Sequence, residues 1–129
     1  MGGWASYLKD LEATGLITSG CISKIDSKKH AKSSSFEFHQ SEIDKLSTLM
    51  TRGETNVPAH VQGGEYHIRE NDEVIAVGTL MGTEYRKQIV VVGKTEKFIV
   101  VCIAEEGVND GKCRKEVQWI VDHITGEGY

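Results

Sequence analysis

The chain contains a single proline, Pro58, among its 129 residues, and no low-complexity tract. That composition argues against disorder. Cysteine is scarce. Cys21, Cys102 and Cys113 are odd in number and lack paired spacing, so a disulfide framework is not expected and a reducing, cytoplasmic setting is. Long hydrophobic runs are missing as well. The longest, Phe98 to Ala104, is far too short to span a bilayer. Lys9, Asp10 and Glu12 break any signal-peptide core near the start. Positive charge is not in excess: 15 Lys and Arg face 19 Asp and Glu, for a net charge of −4. Bulk nucleic-acid binding needs phosphate-neutralising cations and is not expected.

Catalytic and metal patterns fail in the same way. His30, His39, His60, His67 and His123 show no i, i+4 pair and no cysteine at ligand spacing, so no metal site is expected. Gly93-Lys94-Thr95 resembles the end of a phosphate loop, but Gln88 stands where that motif requires glycine. There is no G-x-S-x-G elbow and no cysteine in a recognisable catalytic context. These failures predict a protein that is not an enzyme, with no catalytic residues and no cofactor.

Aromatic residues are few, at 7%, and both tryptophans and two of the four tyrosines stand near the two ends. Trp4 and Tyr7 are three apart and Trp119 and His123 four apart, so each pair shares one face of a helix; Tyr129 closes the chain. Flat rings on adjacent surfaces suit proline-rich ligands, which are already extended and lose little entropy on docking. If the ends meet, they form an aromatic patch. Two weaker signals lie nearby. Met1-Gly2-Gly3-Trp4-Ala5-Ser6 fits the short myristoylation pattern M-G-x-x-x-[ST]. Lys24, Lys28, Lys29 and Lys32 cluster around the first hairpin, as a solvated face or as an attraction for anionic lipid headgroups.

Apolar spacing predicts a helix over 3–14, a strand over 18–25, an Asp26-Ser27 turn and a returning strand over 29–32. A second helix is expected over 41–52, with Ser41 as N-cap and Gly53 as its stop. Residues 53–64 read as a connection. Strands follow over 65–70, 73–80, 86–93 and 97–104, with Asn71-Asp72 and Gly93 to Glu96 as turns. A last helix covers 112–125 and carries the stripe Val117, Ile120, Val121 and Ile124. The order implies one α+β domain over 1–129, an antiparallel sheet with the two terminal helices side by side on it.

These residues also carry a resemblance. Gly3-Trp4-Ala5-Ser6-Tyr7, Gly63-Gly64 with Tyr66, Lys94-Thr95, Glu106-Gly107-Val108, Gly111, Lys115, His123 and Tyr129 resemble the profilin family in order and spacing across essentially the whole chain. The resemblance implies a profilin-like sheet with the terminal helices on one face and a further helix or short segments on the other. It implies binding of monomeric actin, of proline-rich proteins and of a phosphoinositide membrane surface, in the cytoplasm and at the cytoskeleton, with regulation of actin polymerisation. Its proline site maps onto Trp4, Tyr7, His123 and Tyr129, and onto His30 where the family usually has a second tryptophan. By the same mapping His30→Trp tightens proline binding. Its actin face maps onto Val108, Asn109, Gly111, Arg114, Lys115 and Trp119. The family's basic strand is here Val74 to Leu80, without a basic residue; positive charge appears instead at Arg86 and Lys87. That departure motivates a second reading, a profilin-fold module for proline-rich peptides or phosphoinositides with weak or no actin binding.

Overall fold

In the computed structural model, residues 2–25, 30–33, 35–81, 88–105 and 110–127 are described. The elements run α1 (Gly2–Ala13), β1 (Ser19–Lys24), β2 (His30–Lys32), α2 (Gln40–Arg52), β3 (Val57–Val61), β4 (Gly64–Asn71), β5 (Ile75–Leu80), β6 (Gln88–Lys94), β7 (Phe98–Glu105) and α3 (Asp110–Gly126). The seven strands form one sheet in the order β2-β1-β7-β6-β5-β4-β3. Every neighbouring pair is antiparallel.

The central strands read as continuous Val and Ile because both faces are covered. Along β7, Phe98, Val100, Cys102 and Ala104 face one helical layer, while Ile99, Val101 and Ile103 face the other. Leu8 of α1 and Val117, Ile120, Val121 and Ile124 of α3 close the first core. Ile43, Leu46, Leu49 and Met50 of α2 close the second. The terminal helices thus share one face of the sheet, and α2 lies on the other. Burial pushes the Cys21 and Cys102 thiols well above their ordinary range, so both are inert packing groups.

Several local expectations are corrected. The stretch 53–64 is not merely a connection, since it contains β3. Val57, Ala59 and Val61 have the strand period, and Pro58 is tolerated because β3 is an edge strand. Helix α2 begins one residue before Ser41, and His39 takes the N-cap position without a side-chain cap. Gly53 does stop it, with φ 63° in the left-handed region. Gly93, read both as the last residue of the strand and as the first of the turn, lies inside β6, which runs on to Lys94 before the turn. There Thr95 accepts the Phe98 N–H at 3.0 Å through its hydroxyl oxygen. The proposed turn at Asp26-Ser27 lies outside the described residues.

The tight β3–β4 turn shows how α2 is held. Gln62 and Gly63 both have positive φ, 53° and 78°, the conformation of a two-residue hairpin of the primed type. Their N–H groups donate to the two oxygens of Glu42 on α2, at 2.8 and 3.0 Å. Glu42→Ala is expected to lower stability by about 1.5 kcal/mol, the range for hydrogen bonds to a charged group that water partly replaces. Denaturant unfolding measures it; an unchanged midpoint would show that the turn holds without the carboxylate.

Candidate functional site

Four rings meet on the surface between α1 and α3. Trp4 and Tyr7 approach edge to face, with centroids 5.6 Å apart at 86°. Trp4 meets His123 at 5.7 Å and 77°. Tyr7 meets Trp119 at 5.5 Å and 31°. Trp119 stacks on His123 at 5.1 Å and 18°. The pairing Trp4 with His123 and Tyr7 with Trp119 shows that the two helices run antiparallel here. As α1 ascends from 4 to 7, α3 descends from 123 to 119. Trp4 and Tyr7 rest partly buried on the core made by Leu8 and α3, while Trp119 keeps 49% of its surface exposed. Edge-to-face and offset contacts are the favoured arrangements of such rings, so the cluster is preorganised. His123 Nε2 lies 3.0 Å from Glu127 Oε1, one turn on.

The structure brings Trp4, Tyr7 and His123 together as expected from the sequence. It also places Trp119 in the same cluster, although the resemblance put that residue with the actin group. His30 is elsewhere. Its ring stacks flat on Phe38, 3.9 Å away and 3° from parallel. Register explains the separation. Ala31 pairs with Ile22, which faces the terminal helices, so His30 points to the α2 face, where Phe38 packs. His30→Trp is therefore expected to leave proline-peptide affinity unchanged, a correction to the sequence expectation. Isothermal titration of the variant decides between the two. Lys24 and Lys32 divide in the same way. Lys24 is in phase with Ile22, and Lys32 pairs with Cys21 on the opposite face. Tyr129, Val108, Asn109, Arg86, Lys87, Lys28 and Lys29 lie outside the described residues.

The remaining candidates lie toward the start of α3. Gly111 and Lys115 are exposed, and Lys115 stands one turn before Trp119 on the same face. Arg114 points the other way, toward the sheet edge. Its Nη1 lies 2.6 Å from Glu70 Oε2 of β4. Helix α3 thus divides two surfaces, an aromatic one shared with α1 and a charged one shared with β4 and β5. Sequence reading passed over Glu70 and Arg69, because nothing in the local pattern marks them. Near them, Asp72 accepts the Val74 and Ile75 N–H groups at 2.9 and 2.7 Å. The Ile75 bond foremost, with the Val74 bond and the charge of Arg114, holds its carboxyl below the usual range although burial opposes them. On α3, burial raises the Glu116 carboxyl. Among the described residues no cluster of three or more His, Cys, Asp or Glu could hold a metal. No helix among them is long and apolar enough to cross a membrane.

The structure is thus an α+β fold with a ring cluster between its terminal helices. Comparison with known proteins says which such domain it is. The profilin family model matches residues 2–129. The chain belongs to the profilin family. A search of curated proteins finds no match. Among solved structures, Acanthamoeba castellanii profilin IA is similar with a TM-score of 0.79 and 22% identity, covering 98% of this chain and 99% of that one. Mouse profilin IIa, solved in complex with a double repeat from the FH1 domain of mDia1, gives 0.75 and 18%, over 98% and 99%. LokiProfilin1, solved in complex with rabbit actin, gives 0.73 and 18%, over 98% and 97%. Identities this low carry the fold and leave the ligands of this chain to its own residues.

Proposed function

We propose that this protein binds proline-rich segments in the cleft between α1 and α3 and monomeric actin on the surface that begins at α3 residues Gly111, Arg114 and Lys115, and that it thereby regulates actin polymerisation. The observation that carries this reading is the four-ring cluster, with its half-exposed Trp119. Rings fixed by one another lose little entropy when an extended prolyl segment stacks on them. We therefore assign Trp119 to the proline cleft, with Trp4, Tyr7 and His123. The solved complexes of mouse profilin IIa with an FH1 double repeat and of LokiProfilin1 with rabbit actin support ligands of both kinds on this fold. Holding both at once raises the local actin concentration beside a tethered proline-rich protein, without covalent chemistry.

Fluorescence titration with a proline-rich peptide, repeated with actin present, tests the reading. Failure to bind either ligand would end it. Lys115→Glu is expected to weaken actin binding while sparing the peptide, because actin is acidic and the reversed charge repels it. Equal loss of both would point to unfolding or a misplaced face.

A second reading is favoured by a specific observation. Strand β5 (Ile75–Leu80) bears no basic residue and Arg114 is already paired with Glu70. A proline-peptide module without actin binding would leave pyrene-actin polymerisation unaltered, whereas the first reading slows it. For a phosphoinositide surface, the support is limited to the basic residues around the first hairpin, and the opposite facing of Lys24 and Lys32 weakens their cooperation.

A further inference from the structure

The β4–β5 ladder contains an irregularity with a consequence for the charged surface. Ile68 pairs with Gly78, but Glu70 pairs with Val77, so Arg69 is the extra residue of a β-bulge. Before the bulge, Tyr66 and Ile68 face α2. After it, Glu70 shares a face with Val77, which packs under the terminal helices. Without the extra residue, the period of two would leave Glu70 on the α2 side with Ile68. The bulge thus delivers a carboxylate to α3, where it meets Arg114 at 2.6 Å. Arg69, Glu70, Val77, Ile89, Gly111 and Arg114 line a cleft of about 310 Å³ at this point. Its apolar floor, Val77 and Ile89, is buried. Its rim carries two guanidinium groups and one carboxylate, and a helix N-terminus opens beside it.

We propose that Glu70 is a built-in counter-ligand that occupies Arg114, and that an acidic side chain of the actin monomer enters this cleft by displacing it. The inference rests on the actin reading and adds to it the element that sets affinity. Two guanidinium groups over an apolar floor complement a carboxylate on an aliphatic stem, since Arg binds carboxylates bidentately. The Arg114–Glu70 pair is about half exposed on both sides, so breaking it is inexpensive and exchange is accessible. Asp72 does not take the role of Glu70. Its carboxylate is committed to the Val74 and Ile75 N–H groups, though its charge still acts on Arg114. That residual charge limits the gain from removing Glu70.

The test is titration of ATP-bound monomeric actin with wild type, Glu70→Gln, Arg114→Gln and the double variant, with the proline-peptide titration and a thermal melt on each. Glu70→Gln is expected to tighten actin binding roughly fivefold, the equivalent of a surface ion pair no longer competed away. Arg114→Gln is expected to weaken it, and by a larger factor in the Glu70→Gln background than in the wild type. Peptide affinity stays constant throughout. Actin binding that appears only in Glu70→Gln would support the proposal equally. Wild-type binding that Glu70→Gln leaves unchanged or weakens, in a variant that melts with the wild type, overturns this inference and leaves the actin reading standing. No actin binding by any of the four overturns both.

Discussion

Trp4→Ala is expected to weaken binding of a proline-rich peptide about thirtyfold, or about 2 kcal/mol, and Trp119→Ala by a similar factor. Trp4 touches both Tyr7 and His123, and Trp119 touches Tyr7 and His123 as well. Each indole therefore supplies stacking area and also orients two neighbours. Removing either takes away a hot-spot surface and leaves the remaining rings free to rotate. Calorimetry suits the measurement, because both variants lose intrinsic fluorescence. For Trp4, unchanged affinity in a folded variant refutes the cleft. For Trp119 the comparison has two arms. Loss of peptide with actin retained places it in the cleft; loss of actin with peptide retained returns it to the actin face.

Gly93→Ala is expected to destabilise the protein by about 2 kcal/mol, within the range for inserting a methyl group into a packed core. A Cβ at Gly93 would lie 2.5 Å from Cγ2 of Val121 and 2.8 Å from Cγ1 of Val117. Both are branched side chains on α3, buried against the sheet, with no free end to swing away. The strain is relieved only by lifting α3 from β6. Because α3 carries Trp119 and His123, the same variant is expected to loosen the ring cluster and reduce peptide affinity. Gly111→Ala supplies the control. Nothing lies within 4 Å of a Cβ there, so it is expected to gain about 0.5 kcal/mol from reduced unfolded-state freedom in the chain. Thermal unfolding compares them; a Gly93→Ala protein as stable as the wild type would show that α3 is not seated against a bare backbone.

The sequence read well where a local period reports burial. The stripe Val117, Ile120, Val121 and Ile124 predicts α3, and the Val and Ile runs predict β6 and β7. It read less well where a long-range partner overrides a local cue. Residues 53–64 read as a connection, and only pairing with β4 at a sheet edge makes β3, with its Pro58, possible. Gly93 was read at the border of strand and turn, and only its close contact with α3 explains a glycine inside β6. His30 was placed with the proline site by the resemblance. A one-residue difference in register decides which face a strand residue takes, and here Ala31 holds the helix side. The spacing of Trp119 and His123 already put them on one helix face, while the resemblance sent Trp119 elsewhere; the ring contacts favour the spacing.

By itself, the amino-acid order determined the elements other than β3, the α+β class and the family, because hydrophobic periodicity and short motifs are local properties of a chain. Tertiary structure alone decided which rings touch across the two helices, that His30 lies on the opposite face from them, and that Arg114 is held by Glu70. Those outcomes depend on strand register, on a bulge at Arg69 and on the antiparallel seating of α1 against α3. Each is set by contacts between residues distant in the chain, and no local pattern encodes them.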